Sequence, residues 1–305
     1  MDETQPIKTL PIIGNKEVPT DRIDEPVFFD KGIEVSMLRL DCIHPVVSGN
    51  KIFKLVYYLR EAGQLAPSTL ITQGGPYSNH LAAASYACRV LGIRSIGLVR
   101  GEKPQVLSHT LQFCMDQGMT IQYLSRSDYR QVGTEDLTRD FGTHILVPEG
   151  GFGRPGVKGA ALINQYIDPY VFTHLSVPVG SATTLAGLLQ GSSSAPILAF
   201  PALRNMLDIG SRLEELGVTD LRRLTLIPDY HFGGFAKKDA SLIRFMNEFY
   251  LRHQIPLDFV YTAKMMYGIF DLIAKGYFPK GSRILCLHTG GLQGNESLAA
   301  GTLNF

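Results

Sequence analysis

Residues 69–99 read TLITQGGPYSNHLAAASYACRVLGIRSIGLV. The apolar run Thr69–Gln73 ends in two glycines and a proline. Leu81, Ala84, Cys88 and Leu91 then recur at helical spacing, the pattern stops at Gly92, and a second apolar run, Arg94–Val99, follows at once. Apolar residues at this period mark a helix with one buried face, and a glycine just past the last of them is a helix stop. Strand, helix and strand in this order predict a parallel pair joined by a right-handed crossover.

The same alternation runs outward in both directions. Further predicted strands are Thr120–Tyr123, His144–Val147, Leu175–Val179, Pro196–Ala199, Leu224–Pro228, Asp258–Tyr261 and Arg283–His288. Continuous apolar runs such as ILCL and LTLI imply strands covered on both faces. Ile52, Leu55, Val56 and Leu59 predict another amphipathic helix, ending at Gly63. The class is therefore α/β. Nine strands in a chain of 305 residues suit two open, twisted, mostly parallel sheets flanked by helices better than one broad sheet. The glycine-rich stretch Glu149–Gly159 is where the chain is expected to cross between domains.

A chain of this length can bury about three quarters of its unfolded surface. Its net charge of +1, with no Lys/Arg cluster, gives no electrostatic basis for nucleic-acid or anionic-membrane partners. No run approaches the ~18 apolar residues of a membrane span. The N-terminal MDETQPIKTLPIIGN carries acids and prolines where a signal peptide needs a basic start and an apolar stretch. Cys42, Cys88, Cys114 and Cys286 form no C-x-x-C and read as reduced, mostly buried thiols of a cytoplasmic protein. The eight histidines form neither H-E-x-x-H nor a close pair, so no metal site is expected.

Four segments combine glycine, small polar residues and the start of a helix, the position where open α/β folds bind ligands. Ser48-Gly49-Asn50-Lys51 puts a lysine on a tight turn opening a helix. A lysine that attacks a carbonyl must be fixed in place and have a lowered pKa; Lys54, one turn on, is the rival. Gly74-Gly75-Pro76-Tyr77-Ser78-Asn79-His80 lets the backbone approach a ligand. There Ser78 or Asn79 either caps the helix at Leu81 or faces a substrate carboxylate held by free N–H groups. The sequence is no G-x-S-x-G elbow, which disfavours a serine hydrolase. Gly180-Ser181-Ala182-Thr183-Thr184, before a helix near Leu185, reads as a phosphate cradle or an ordinary capped turn. It lacks the lysine of a nucleotide P-loop, so a phosphate on a smaller cofactor fits better. Tyr261-Thr262-Ala263-Lys264 and His288-Thr289-Gly290-Gly291 supply hydroxyls from two late turns.

Together SGNKIFKL, TQGGPYSNH, GSATTLAGL, YTAK and LHTGGLQG resemble, in order and over nearly the whole chain, the 1-aminocyclopropane-1-carboxylate deaminase/D-cysteine desulfhydrase family. That family lies within the tryptophan synthase β-like, fold type II enzymes dependent on pyridoxal phosphate. The resemblance implies that Lys51 binds the cofactor aldehyde, with Asn50 beside it. It implies that Gly180, Ser181, Ala182, Thr183 and Thr184 wrap the phosphate, that Asn79 lies near the ring 3-hydroxyl, and that Thr262 and Thr289 lie near the pyridine nitrogen. Ser78, Asn79 and His80 would meet the substrate, and Tyr261 matches an active-site tyrosine. It also implies a homodimer, with a large domain of residues 1–51 and 166–305 and a small inserted domain of residues 52–165.

Three departures bear on the reaction. Phe235 stands where the family has a second tyrosine, Thr183 replaces a frequent glycine, and Thr262 replaces the deaminases' glutamate. A neutral hydroxyl at 262 would leave the ring nitrogen unprotonated and the cofactor a weaker electron sink. His80 matches the desulfhydrase branch. The expected reaction is β-elimination from D-cysteine or a similar D-amino acid, giving a 2-oxo acid, ammonia and a thiol or sulfide. The alternatives are cyclopropane ring opening, β-replacement and an inactive homologue.

Overall fold

The computed structural model describes residues 17–305 apart from 133, 205 and 207. Its strands are β1 (Thr20–Ile23), β2 (Glu34–Leu38), β3 (Thr69–Gly74), β4 (Arg94–Arg100), β5 (Thr120–Leu124), β6 (Ile145–Val147), β7 (His174–Val179), β8 (Ile197–Pro201), β9 (Leu224–Leu226) and β10 (Arg283–Leu287). Its helices are α1 (Pro26–Lys31), α2 (Asn50–Ala62), α3 (Asn79–Leu91), α4 (His109–Asp116), α5 (Arg126–Gln131), α6 (Thr134–Phe141), α7 (Arg154–Ala161), α8 (Thr183–Leu189), α9 (Ile209–Glu215), α10 (Ala240–His253) and α11 (Thr262–Ala274).

Two sheets result, ordered β1-β2-β10-β7-β8-β9 and β5-β4-β3-β6. Every pairing is parallel except β1 with β2. Side chains alternate between the faces of the large sheet, as strand geometry requires. Leu175, Val177, Leu285 and Leu287 join α2, α3 and α8 in a core between the sheets. Ile284, Cys286, Leu198 and Phe200 join α10 and α11 in a second core on the other face. This two-sided burial is why ILCL, inside β10, is apolar throughout.

Two strand expectations fail for physical reasons. LTLI is not covered on both faces: among the described residues β9 is the sheet edge, paired with β8 alone, and Leu226 is 37% exposed. Asp258–Tyr261 is no strand. The Asp258 carboxylate accepts from the N–H groups of Val260, Tyr261 and Thr262 at 3.1, 2.8 and 2.8 Å. That satisfies locally the donors a ladder would use and turns the chain into α11. Conversely, β1 and β2 form where no strand was expected. Glu149–Gly159 folds as a short 3₁₀ turn at Glu149–Gly151 followed by α7. Glycines allow α7 to pack closely, since a Cβ at Gly159 would lie 1.8 Å from the Phe53 carbonyl oxygen. Among the described residues no helix is long and apolar enough to cross a membrane. Cys88, Cys114 and Cys286 are buried and Cys42 is exposed, all as free thiols.

Candidate active site

The turn that carries Lys51 is built on Gly49. Its φ of 66° and ψ of −139° are open mainly to glycine, and a Cβ there would lie 1.9 Å from the Thr289 carbonyl oxygen. That carbonyl accepts from the Asn50 N–H at 3.2 Å, so the β10 loop and the start of α2 are fastened together. The Asn50 amide donates to Thr184 Oγ1 at 2.8 Å, tying α2 to α8, and its carbonyl oxygen accepts from Lys51 Nζ at 2.6 Å.

Burial pushes the Lys51 amine down to about 8, and the negative charge of Asp258 works against that shift. Desolvation, helped by the Lys51 charge, holds Lys54 well below the usual lysine value. The two lysines differ in what they face. Lys54 Nζ donates to the Gly150 carbonyl at 3.0 Å, which also accepts from Ser181 Oγ at 3.4 Å. Lys54 thus converges with the 180–184 loop, whereas Lys51 is held by its own neighbour.

That loop is rich in hydroxyls. Ser181 Oγ lies 3.0 Å from Thr183 Oγ1. Ala182 takes the left-handed conformation at φ 68°, while Thr183 opens α8, so threonine at 183 meets no backbone strain. A Cβ on Gly180 would lie 3.2 Å from the Tyr261 hydroxyl oxygen, so Tyr261 closes over the loop. Burial, then Asp258 and Glu149, push the Tyr261 hydroxyl far above the ordinary tyrosine value, so it stays protonated.

At the start of α3 Ser78 is the helix cap, its Oγ accepting from the Leu81 N–H at 3.3 Å. It is packed so close that a Cβ on Gly74 would lie 2.7 Å from it. His80 is 3% exposed. Thr72 Oγ1 lies 2.9 Å from His80 Nε2 and donates to the Val147 carbonyl. With its one proton committed there, Thr72 must accept from Nε2–H. Burial and the two lysine charges push His80 down to about 3, so the ring is neutral. Phe235, 53% exposed, stands edge-on to the Tyr261 ring at 6.0 Å.

The structure therefore brings Lys51, Asn50, Thr184 and Thr289 together through one chain of hydrogen bonds, and Gly180, Tyr261 and Phe235 through packing contacts. The Thr289 and Thr262 segments meet at Asp258: it binds the Thr262 N–H, and a Cβ on Gly291 would lie 3.5 Å from its Oδ2. Sequence reasoning missed Asp258. Its signal was an acid shortly before a helix start, hidden in an apolar run. Among the described residues no three His, Cys, Asp or Glu side chains group to hold a metal ion.

Two buried amines of lowered pKa beside a hydroxyl-lined loop, at the carboxyl ends of parallel strands, suit an α/β enzyme that binds a phosphorylated carbonyl compound. Residues 28–290 match the pyridoxal-phosphate dependent enzymes, and the chain belongs to that family. It is 31% identical over 284 residues to a putative 1-aminocyclopropane-1-carboxylate deaminase of Pyrococcus horikoshii, covering 86% of each chain. It is 28% identical to the bifunctional D-cysteine desulfhydrase/1-aminocyclopropane-1-carboxylate deaminase of Arabidopsis thaliana, covering 86% of this chain and 73% of that one. A crystal structure of a homologue of the deaminase superposes with a TM-score of 0.80 at 26% identity, over 97% of each chain. The protein is thus an enzyme of the tryptophan synthase β-like fold that uses pyridoxal phosphate on a small molecule.

The residues present fit that cofactor. Asn79 Oδ1 and Thr262 Oγ1 are buried polar atoms that have no partner among the described residues, an arrangement that is costly unless a ligand completes it. The Ser181, Thr183 and Thr184 hydroxyls suit a phosphate, and the lowered Lys51 amine suits an aldehyde.

Proposed function

We propose that the protein is a lyase that eliminates the Cβ substituent of D-cysteine or a similar small D-amino acid. The products are a thiol or sulfide, ammonia and a 2-oxo acid. Lys51 is the amine that binds the cofactor and then takes the Cα proton on Nζ; a positioned base of this kind contributes about 10²–10⁴-fold. Pyridoxal phosphate supplies delocalisation of the charge left on Cα. The N–H groups at the start of α3 bind the substrate carboxylate, Ser78 is a catalytic hydroxyl facing that carboxylate and Cα, Asn79 and His80 meet the substrate beside it, and Tyr261 presents a protonated hydroxyl. Ser181, Thr183 and Thr184 hold the phosphate, with Gly180 and Ala182 shaping the loop, and Thr262 and Thr289 flank the ring nitrogen. As the bond from Cβ to sulfur breaks, the electron pair leaves with sulfur. The unsaturated amine released takes up water to give ammonia and the oxo acid.

Phe235 carries the choice of reaction. Elimination needs one base, whereas opening a cyclopropane also calls for a nucleophile and proton donors, and the phenyl ring beside Tyr261 provides neither. We also propose a cytoplasmic homodimer that binds no nucleic acid, with residues 1–51 and 166–305 as one domain and 52–165 as the other. The net charge of +1 and the family resemblance support this reading.

The test is to trap the purified enzyme with borohydride, map the modified peptide, and assay D- and L-amino acids together with the cyclopropane amino acid. The expected result is a label on Lys51 and 2-oxo acid from D-cysteine without an added nucleophile. A label on Lys54 would overturn the lysine assignment. Faster turnover of the cyclopropane substrate than of D-cysteine would overturn the reaction, and dependence on an added thiol would make the enzyme a β-replacement catalyst. No spectral change with any amino acid would mark an inactive homologue.

A further inference from the structure

Lys264 lies on α11 and is 2% exposed. It makes no ion pair among the described residues. Its Nζ donates to the carbonyls of His231 at 2.9 Å and Gly234 at 2.8 Å. Burial pushes this amine down to about 8, against the pull of Asp258. Burying an amine is costly, and a methionine or leucine would fill the same volume without that cost. Both of its bonds go to one loop.

That loop has an unusual backbone. Phe232, Gly233, Gly234 and Ala236 all have positive φ, at 51, 90, 124 and 54°, and two of the four are not glycine. Such conformations persist only where the surroundings fix them. Within the loop the Gly234 N–H donates to the His231 carbonyl at 3.0 Å and the Gly233 N–H to His231 Nδ1 at 2.9 Å. Links to the rest of the molecule include the Lys264 amine and Phe232, which packs edge-on against Tyr267 of α11 at 5.0 Å; just before the loop, the Tyr230 hydroxyl donates to Asp271 of α11 at 2.6 Å. The loop sets the Phe235 ring edge-on against Tyr261 at 6.0 Å.

We propose that Lys264 is a positioning residue for substrate recognition: its two hydrogen bonds hold the 231–236 loop so that Phe235 forms a fixed wall against Tyr261. Lys264 acts through Phe235 and touches neither cofactor nor substrate. The inference rests on the proposed site only where it makes Phe235 a wall that the substrate meets; the clamp itself can be read without substrate.

The chain contains no tryptophan, so Phe235→Trp introduces a single fluorescent reporter at the position in question. In the enzyme as purified, adding Lys264→Met is expected to lower the reporter's anisotropy clearly and to raise acrylamide quenching by at most about twofold, because the ring is already half exposed and the change is from a clamped residue to a mobile one. With Phe235 in place, Lys264→Met is expected to raise KM about tenfold while kcat stays within about threefold, the pattern of lost binding rather than lost chemistry. In a Phe235→Ala background the same substitution should leave KM unchanged, because two residues acting through one contact are not additive. A reporter indifferent to Lys264→Met overturns the clamp. A reporter that responds, with a KM rise of equal size in the Phe235→Ala background, leaves the clamp standing and overturns its role in recognition. If Lys264→Met does not fold, Lys264→Gln, which retains an N–H donor, is read in the same way with smaller effects.

Discussion

Removal of the Ser78 hydroxyl separates a helix cap from a catalytic group, because the two roles differ greatly in size. As a cap, Ser78 accepts one N–H bond at 3.3 Å, longer than the usual 2.7–3.2 Å range. Replacing a serine cap by alanine costs about 0.5–2 kcal/mol, and the long bond places Ser78→Ala in the lower half of that range. A native protein has about 5–15 kcal/mol of stability, so a loss near 1 kcal/mol leaves nearly every molecule folded. The cap therefore cannot change the turnover measured per folded molecule. A hydroxyl acting on the substrate is worth about 10²–10⁴ in rate, or about 3–5 kcal/mol of barrier. The decisive variant is Ser78→Asn, since asparagine caps as well as serine does but has no hydroxyl. The expected outcome is a melting temperature within a few degrees of wild type, retained cofactor absorbance and kcat lower by at least about 100-fold. Wild-type kcat in Ser78→Asn, measured by 2-oxo acid release from D-cysteine, would reduce Ser78 to a cap.

Gly49→Ala drives a Cβ to 1.9 Å from the Thr289 carbonyl oxygen at a φ of 66°; the expected cost is about 3 kcal/mol or more, read as a fallen melting temperature and loss of the Lys51 borohydride adduct. Lys51 has a folded pKa of about 8, below its unfolded value of about 10.4. Below pH 8 both states hold the proton and the folded state bears the full cost of burying it; between pH 8 and 10.4 that cost disappears. Cofactor-free wild type should therefore be less stable than Lys51→Met at pH 7 and approach it by pH 10, and a gap that does not narrow in denaturant titrations would contradict the lowered pKa. Phe235→Tyr returns a hydroxyl beside Tyr261 and should raise 2-oxobutanoate formation from the cyclopropane amino acid at least about tenfold, with D-cysteine elimination within about threefold.

The crossover units were legible because a parallel strand covered on both faces is apolar through its middle, as LI of β3, IGLV of β4 and ILCL of β10 are, and because Gly63 and Gly92 stop their helices. Where an apolar run has another cause, the reading failed. Phe259, Val260 and Tyr261 have the composition of a strand, yet the Asp258 carboxylate collects three N–H groups there and a turn wins. LTLI is apolar but lies at a sheet edge, while β1, exposed at Thr20 and Arg22 with Ile23 buried, is too short and polar to declare itself. At the site, Lys51, Ser78 and the Gly180–Thr184 loop were visible because glycine, hydroxyl and helix start coincide in sequence. Asp258 and Lys264 were not, because a lone acid and a lone lysine read as surface charge until their distant partners, such as the carbonyls of residues 231 and 234, are known.

The charge pattern of the site leads to a test that needs neither activity nor cofactor. Lys51 and Lys54 are amines held below their ordinary values by burial, and the carboxylate acting on Lys51 is Asp258, whose charge three N–H groups already share. The site is therefore rich in donors, as a site for a phosphate and a carboxylate must be. Lys54 Nζ and Ser181 Oγ bond the same Gly150 carbonyl, so an anion seated on the 180–184 loop lies in the field of Lys54. An anion favours the charged amine and raises its pKa. At pH 10, above a Lys54 value held well below the ordinary lysine range, the cofactor-free protein should thus take up protons as it binds inorganic phosphate. Calorimetry in buffers of different ionisation enthalpy would register that uptake as a buffer-dependent heat, and Lys54→Met should abolish it while the Ser181, Thr183 and Thr184 hydroxyls still bind the ion. Phosphate binding with the same heat in every buffer would mean that the buried amine and the phosphate loop are not coupled.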